Sequence, residues 1–89
     1  MELKTCASAG TMESSDAYVE IEPANDGIYV QLESVVMEQF GDAIELTVRD
    51  VLKEQSVEHA NVRIKDRGAL DCVIRARVET AVLRAKEEA

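Results

Sequence analysis

The chain has 89 residues, of which 46 % are hydrophobic, and its formal net charge is −8. That composition suits one folded domain with one thin core. The acidity argues against a nucleic-acid-binding surface and against docking on anionic membranes, and favours basic protein partners. Simple solvation of a folded surface accounts for the same charge equally well.

Residues 1–16 are small and polar, with room for a short edge strand near Thr5–Ala9. They form a flexible N-terminal segment ahead of a single domain over 17–89. Ala17 to Glu22 alternates, with Ala17, Val19 and Ile21 on one face and Tyr18, Glu20 and Glu22 on the other, as in a half-buried strand. Pro23-Ala24-Asn25-Asp26-Gly27 has turn chemistry, and Ile28, Val30 and Leu32 then alternate with Tyr29, Gln31 and Glu33. The two runs predict an antiparallel hairpin.

Ser34 is the expected N-cap of a helix reaching about Gln55. Its inner stripe is Val36, Phe40, Ala43, Ile44, Thr47, Val48, Val51 and Leu52. Gly41 interrupts it, for a close helix approach or by tolerance. Alternation returns over Val57–Lys65, with Ala60, Val62 and Ile64 inward. After the turn Asp66-Arg67-Gly68 comes a last helix, with Leu70, Val73, Ile74, Val78, Ala81, Val82 and Ala85 inward and Glu87 among its wetter positions. The fold class is α+β: a two-layer sandwich in ββαβα order, a small mixed sheet with two helices on one face. The strand–helix–strand unit is a parallel crossover.

His59 is the sole imidazole, and Cys6 and Cys72 are the two thiols, far apart and outside any metal-ligand spacing. No apolar run is long enough for a signal peptide or membrane span, so the cytoplasm, with reduced thiols, is the expected compartment. Arg67, Arg75 and Arg77 interrupt the acidic surface, either to meet a partner or to pair with Asp66, Asp71 and Glu79. Gly10-Thr11-Met12-Glu13-Ser14-Ser15-Asp16 places hydroxyls and carboxylates in a loop without a base. A serine there cannot be activated from within, which weighs against an independent enzyme. Ser14 and Ser15 serve either as turn formers or as acceptors of a group that another enzyme attaches.

Several blocks together resemble the acyl carrier subunit, or gamma chain, of bacterial citrate lyase. They are Ala9–Asp16, Gln39-Phe40-Gly41-Asp42-Ala43-Ile44, Asp50-Val51-Leu52, Gly68-Ala69-Leu70-Asp71-Cys72 and Arg75-Ala76-Arg77. The resemblance implies a non-catalytic carrier bearing 2'-(5''-phosphoribosyl)-3'-dephospho-CoA through a phosphodiester. The family's attachment position falls on Ser14, with Ser15 as second choice where relatives often have glycine. It further implies that acetyl and citryl thioesters are presented to the alpha (acyl transferase) and beta (citryl lyase) subunits, which turn citrate into acetate and oxaloacetate. A prosthetic-group transferase would load the arm; nucleic acid and membrane are not expected partners. The related carrier of malonate decarboxylase and a plain interaction module are the alternatives.

Overall fold

The computed structural model describes residues 3–86. Glu87 and the outer ends of the 1–16 and 17–89 segments lie outside the described residues. The elements in chain order are β1 (Ala7–Gly10), β2 (Ala17–Pro23), β3 (Ile28–Ser34), α1 (Met37–Glu54), β4 (Ala60–Asp66) and α2 (Asp71–Lys86). Four strands form one sheet in the order β1-β2-β4-β3. Both helices contribute their buried sides to the same core as the sheet, which makes a two-layer α+β sandwich.

The alternation seen in the sequence sets the faces. Val19 and Ile21 of β2 and Ala60, Val62 and Ile64 of β4 are buried, while Arg63 stands on the wet face with Glu20 and Glu22 at 3.6 and 3.5 Å. Ile44, Val48, Val51 and Leu52 of α1 and Ile74, Val78, Ala81, Val82 and Ala85 of α2 close the core. With so few aromatic residues, the interior is built from branched aliphatic chains and alanine.

The β2–β3 hairpin does not form. β4 lies between these strands, antiparallel to β2 (Ala17↔Asp66 through Pro23↔Ala60) and parallel to β3 (Ile28↔Ala60 through Ser34↔Asp66). Alternation fixes which side of a strand is buried but not which strand lies beside it. The β2–β3 loop is instead fastened to the start of β4. The Gly27 N–H donates to His59 Nδ1 at 2.8 Å, and the Ala60 N–H donates to the Gly27 carbonyl at 2.9 Å. β3 and β4, joined by α1, form the parallel pair. β1 pairs with β2, Ala7↔Ile21 through Gly10↔Tyr18, so the sheet takes in part of the 1–16 stretch.

Ser34 is not the N-cap. Its hydroxyl donates to buried Asp66 at 2.7 Å and accepts the Val36 N–H at 3.0 Å, and the helix starts three residues later from Val36 without a side-chain cap. α1 ends in a Schellman motif: the Val57 N–H donates to the Leu52 carbonyl and the Ser56 N–H to that of Lys53, with Ser56 at φ 58°. Gly41 meets no neighbouring backbone; an added Cβ would touch only the Met37 side chain, at 3.0 Å.

Candidate functional site

One edge of the molecule collects the ends of β1, β3 and β4, the start of β2 and the N-terminal ends of both helices. Ser14 stands there, in the loop between the antiparallel strands β1 and β2. The Asp16 N–H donates to the Glu13 carbonyl at 3.2 Å, closing a four-residue turn with Ser14 and Ser15 in the middle. Ser15 has φ 65°, the sign that a type II turn requires at its third residue and that glycine adopts most easily. Both serines are exposed. Among the described residues the Ser14 hydroxyl has no hydrogen-bond partner, so it projects from the turn towards solvent.

The turn is tied to the body on both sides of Ser15. The Ser15 N–H donates to the Arg67 carbonyl at 2.8 Å, and the Arg67 N–H donates to the Asp16 carbonyl at 2.9 Å. Asp16 binds the rest. Its carboxylate accepts from Thr11 Oγ1 at 2.6 Å, from the Ala17 N–H at 2.7 Å and from Arg77 Nε and Nη2 at 3.0 and 2.8 Å. The Arg77 fork, with the Thr11 hydroxyl and the Ala17 amide, holds the Asp16 carboxyl well below the usual carboxylate range, and Asp16 in turn raises the Arg77 guanidinium. Gly10 completes the setting at φ 99°, because an added Cβ would stand 1.8 Å from the Ala17 carbonyl oxygen and 3.2 Å from Arg77 Cδ.

The arginines therefore take partners other than those their helix spacing suggests. Arg77 binds Asp16, and Arg75 binds Glu54 through both carboxylate oxygens at 2.7 and 2.8 Å. Asp66 is buried, 2 % exposed, and accepts from Ser34 and from the Ala69 N–H. His59, held by Gly27 at the opposite end of β2, is no part of the Ser14 turn. Cys6 and Cys72 are free and exposed. Among the described residues no group of histidine, cysteine and carboxylate side chains is arranged to hold a metal ion, and no helix is long and apolar enough to cross a membrane.

Next to the turn lies a feature that periodicity alone concealed. Phe40 and Leu70, both read as core positions, are 55 % and 71 % exposed. With Val36, Ala43, Ile44 and Ile74 they line an apolar groove of about 350 Å³ between the N-terminal ends of α1 and α2. Val36, the first position of the α1 stripe, packs against the core while Phe40 and Ala43 stay exposed, and Leu70 precedes α2, so spacing alone does not separate the groove from the core.

The chain is similar to known proteins along nearly its whole length. A family model described as the malonate decarboxylase delta subunit matches residues 4–85. The citrate lyase acyl carrier protein of Escherichia fergusonii is 53 % identical over 89 residues, covering 99 % of this chain and 92 % of that protein. The citrate lyase acyl carrier protein of Lactobacillus acidophilus is 47 % identical over 87 residues, 98 % of this chain and 90 % of that one. A chain in the crystal structure of a Pseudomonas malonate decarboxylase hetero-tetramer in complex with malonate shares the fold, with a TM-score of 0.82 at 22 % identity over 96 % of this chain and 88 % of that chain.

Proposed function

This chain belongs to the acyl carrier family that holds the citrate lyase acyl carrier proteins and the malonate decarboxylase delta subunit, and we propose that Ser14 is the root of its covalent arm. The chain is an acyl carrier. The observation that carries the choice of residue is the exposed Ser14 hydroxyl at the tip of a turn that is fastened on both sides by the Ser15 and Asp16 backbone and the Asp16 carboxylate. Ser15 is the poorer anchor, because its amide is bonded to Arg67 and its backbone sits in the left-handed region.

The fit of the residues to 2'-(5''-phosphoribosyl)-3'-dephospho-CoA rests on the same turn. A phosphodiester at an alcohol needs an oxygen that an incoming phosphorus can approach, and Ser14 Oγ provides it. Once bound, the group supplies a terminal thiol on which an acyl unit travels as a thioester. The chain's own residues present, brace and insulate. Asp16 and Arg77 hold the root of the arm, and the exposed carboxylate of Glu13 discourages its phosphates from settling on the carrier. The attachment step belongs to a prosthetic-group transferase. Ser14 Oγ attacks the phosphorus of an activated phosphoanhydride donor, the new O–P bond forms, the anhydride bond breaks with its phosphate as leaving group, and the serine proton passes to a base of the transferase.

On this reading the 11–16 turn is the arm-bearing part and the sandwich is the docking body of a non-catalytic subunit. The alpha and beta subunits of citrate lyase are its partners, in the cytoplasm, and tethering delivers the acyl group at an effective concentration on the order of millimolar. Identities near one half to citrate lyase carriers favour this assignment over the malonate decarboxylase role. The test is intact mass of the chain from its own host, expected to exceed the polypeptide by several hundred daltons. Ser14→Ala should abolish the adduct and Ser15→Ala should keep it. A bare native chain, or an adduct that survives Ser14→Ala, would overturn the proposal.

A further inference from the structure

We infer that the groove between the N-terminal ends of α1 and α2 receives an apolar side chain from the basic surface of the enzyme that attaches the arm to Ser14. The inference rests on Ser14 being the attachment residue.

Continuity with the attachment turn is the first argument. The Ser15 N–H donates to the Arg67 carbonyl, Gly68 follows Arg67, and Gly68 lines the groove together with Ala69, Leu70 and Phe40. The path from the Ser14 Cα to the Gly68 Cα through these residues is at most about 13 Å. An enzyme that acts on the far end of a long tether need not cover its root, but the enzyme that forms the bond to Ser14 Oγ must. A standard interface of about 800 Å² per partner reaches about 16 Å from its centre, so a footprint centred on Ser14 extends to the edge of the groove at Gly68.

The character of the groove is the second argument. Phe40 and Leu70, which line it, are 55 and 71 % exposed, and exposed apolar surface of this kind marks a protein contact. Asp71 is the one charged residue in its wall. An apolar lining with one carboxylate matches an apolar knob beside a basic group. An enzyme whose donor carries several phosphates presents such basic groups beside its active site. The net charge of −8 makes the whole chain complementary to it.

The test uses the full-length apo chain, the prosthetic-group transferase of its host and the activated nucleotide donor, with adduct formation followed by intact mass. Phe40→Ser and Leu70→Ser change exposed side chains, so the variants should keep the parent circular dichroism spectrum. Each should raise the KM for the carrier at least tenfold and leave kcat within twofold. The same substitutions in a Ser14→Ala background should weaken direct binding to the transferase equally. Raising salt from about 0.05 to about 0.5 M should raise the KM of the parent chain. Leu83→Ser, at the other end of α2 and also exposed, should change nothing. An unchanged KM in both groove variants would overturn the inference while the Ser14 reading stands. So would normal loading combined with failed assembly with the other lyase subunits. Failure of the unsubstituted chain to be modified at Ser14 would instead remove the reading on which the inference rests.

Discussion

Arg77, near the middle of α2, grips both carboxylate oxygens of Asp16, 61 residues earlier in the chain and two residues from Ser14, the proposed attachment residue. The fork joins the last helix to the turn between the first two strands. Among the ion pairs of the described residues it is the one whose acid is mostly shielded, with an Asp16 side-chain exposure of 15 %. It therefore carries more than the exposed Arg49–Glu45 and Arg63–Glu20 pairs, which water and salt screen.

The pair predicts a sign for acid sensitivity. The folded carboxyl of Asp16 lies below its ordinary value of 3.8, so between that value and the lower folded one the unfolded chain binds more protons. The stabilisation is complete above about pH 5 and fades as the pH falls through and below about 4. Urea titrations of the parent and of Arg77→Ala should give curves separated by a constant amount above about pH 5 that converge towards pH 2. A separation that stayed constant to pH 2 would contradict the fork.

Ser15→Gly should stabilise the chain by about 0.5–1 kcal/mol, since glycine enters the left-handed region without the steric cost that Ser15 bears at φ 65°. Loading at Ser14 should persist in the variant. Urea denaturation combined with intact mass checks both statements.

Gly10→Ala should cost on the order of 3 kcal/mol or prevent folding, because the new methyl group would overlap the Ala17 carbonyl and force the turn away from Arg77. Gly27→Ala is the matching control. It also has positive φ, at 122°, but open space around the missing Cβ, so only a backbone cost of about 1 kcal/mol is expected. Thermal unfolding of the two variants separates steric conflict from backbone preference.

Asp66→Ala should destabilise by about 2–3 kcal/mol, because it strips the Ser34 hydroxyl and the Ala69 amide of their acceptor at a buried site. Asp66→Asn, which keeps an acceptor oxygen, should recover part of the loss. Equal losses in the two variants, measured in urea, would show that the hydrogen bonds are not the source.

The strands and helices were legible because each carries its own period: Val19 and Ile21, Ala60 to Ile64, and Val78 to Ala85 point inward as their spacing demands. Strand neighbours were not, because nothing in Ala17–Glu22 or Ile28–Glu33 distinguishes a turn partner from a strand 30 residues later. Helix spacing likewise offered Glu79 and Asp71 to Arg75 and Arg77, whereas the folded chain supplies Glu54 and Asp16 from other elements. The Ser14 turn was visible through its hydroxyls and the family resemblance. Its bracing by Arg67 and Arg77 was invisible, since those contacts exist only after the chain ends meet. The groove escaped notice because Phe40 and Leu70 share the chemistry of core residues and differ only in what lies opposite them.

β4, one of the two inner strands of the sheet, is the last of the four to leave the ribosome. Until it emerges, β2 and β3 have no common neighbour, and the turn at Ser14 lacks both the Arg67 backbone and the Arg77 fork. The folded turn therefore needs the chain as far as Arg77. On the proposed reading of Ser14, attachment of the arm would follow synthesis of α2 rather than accompany that of the turn.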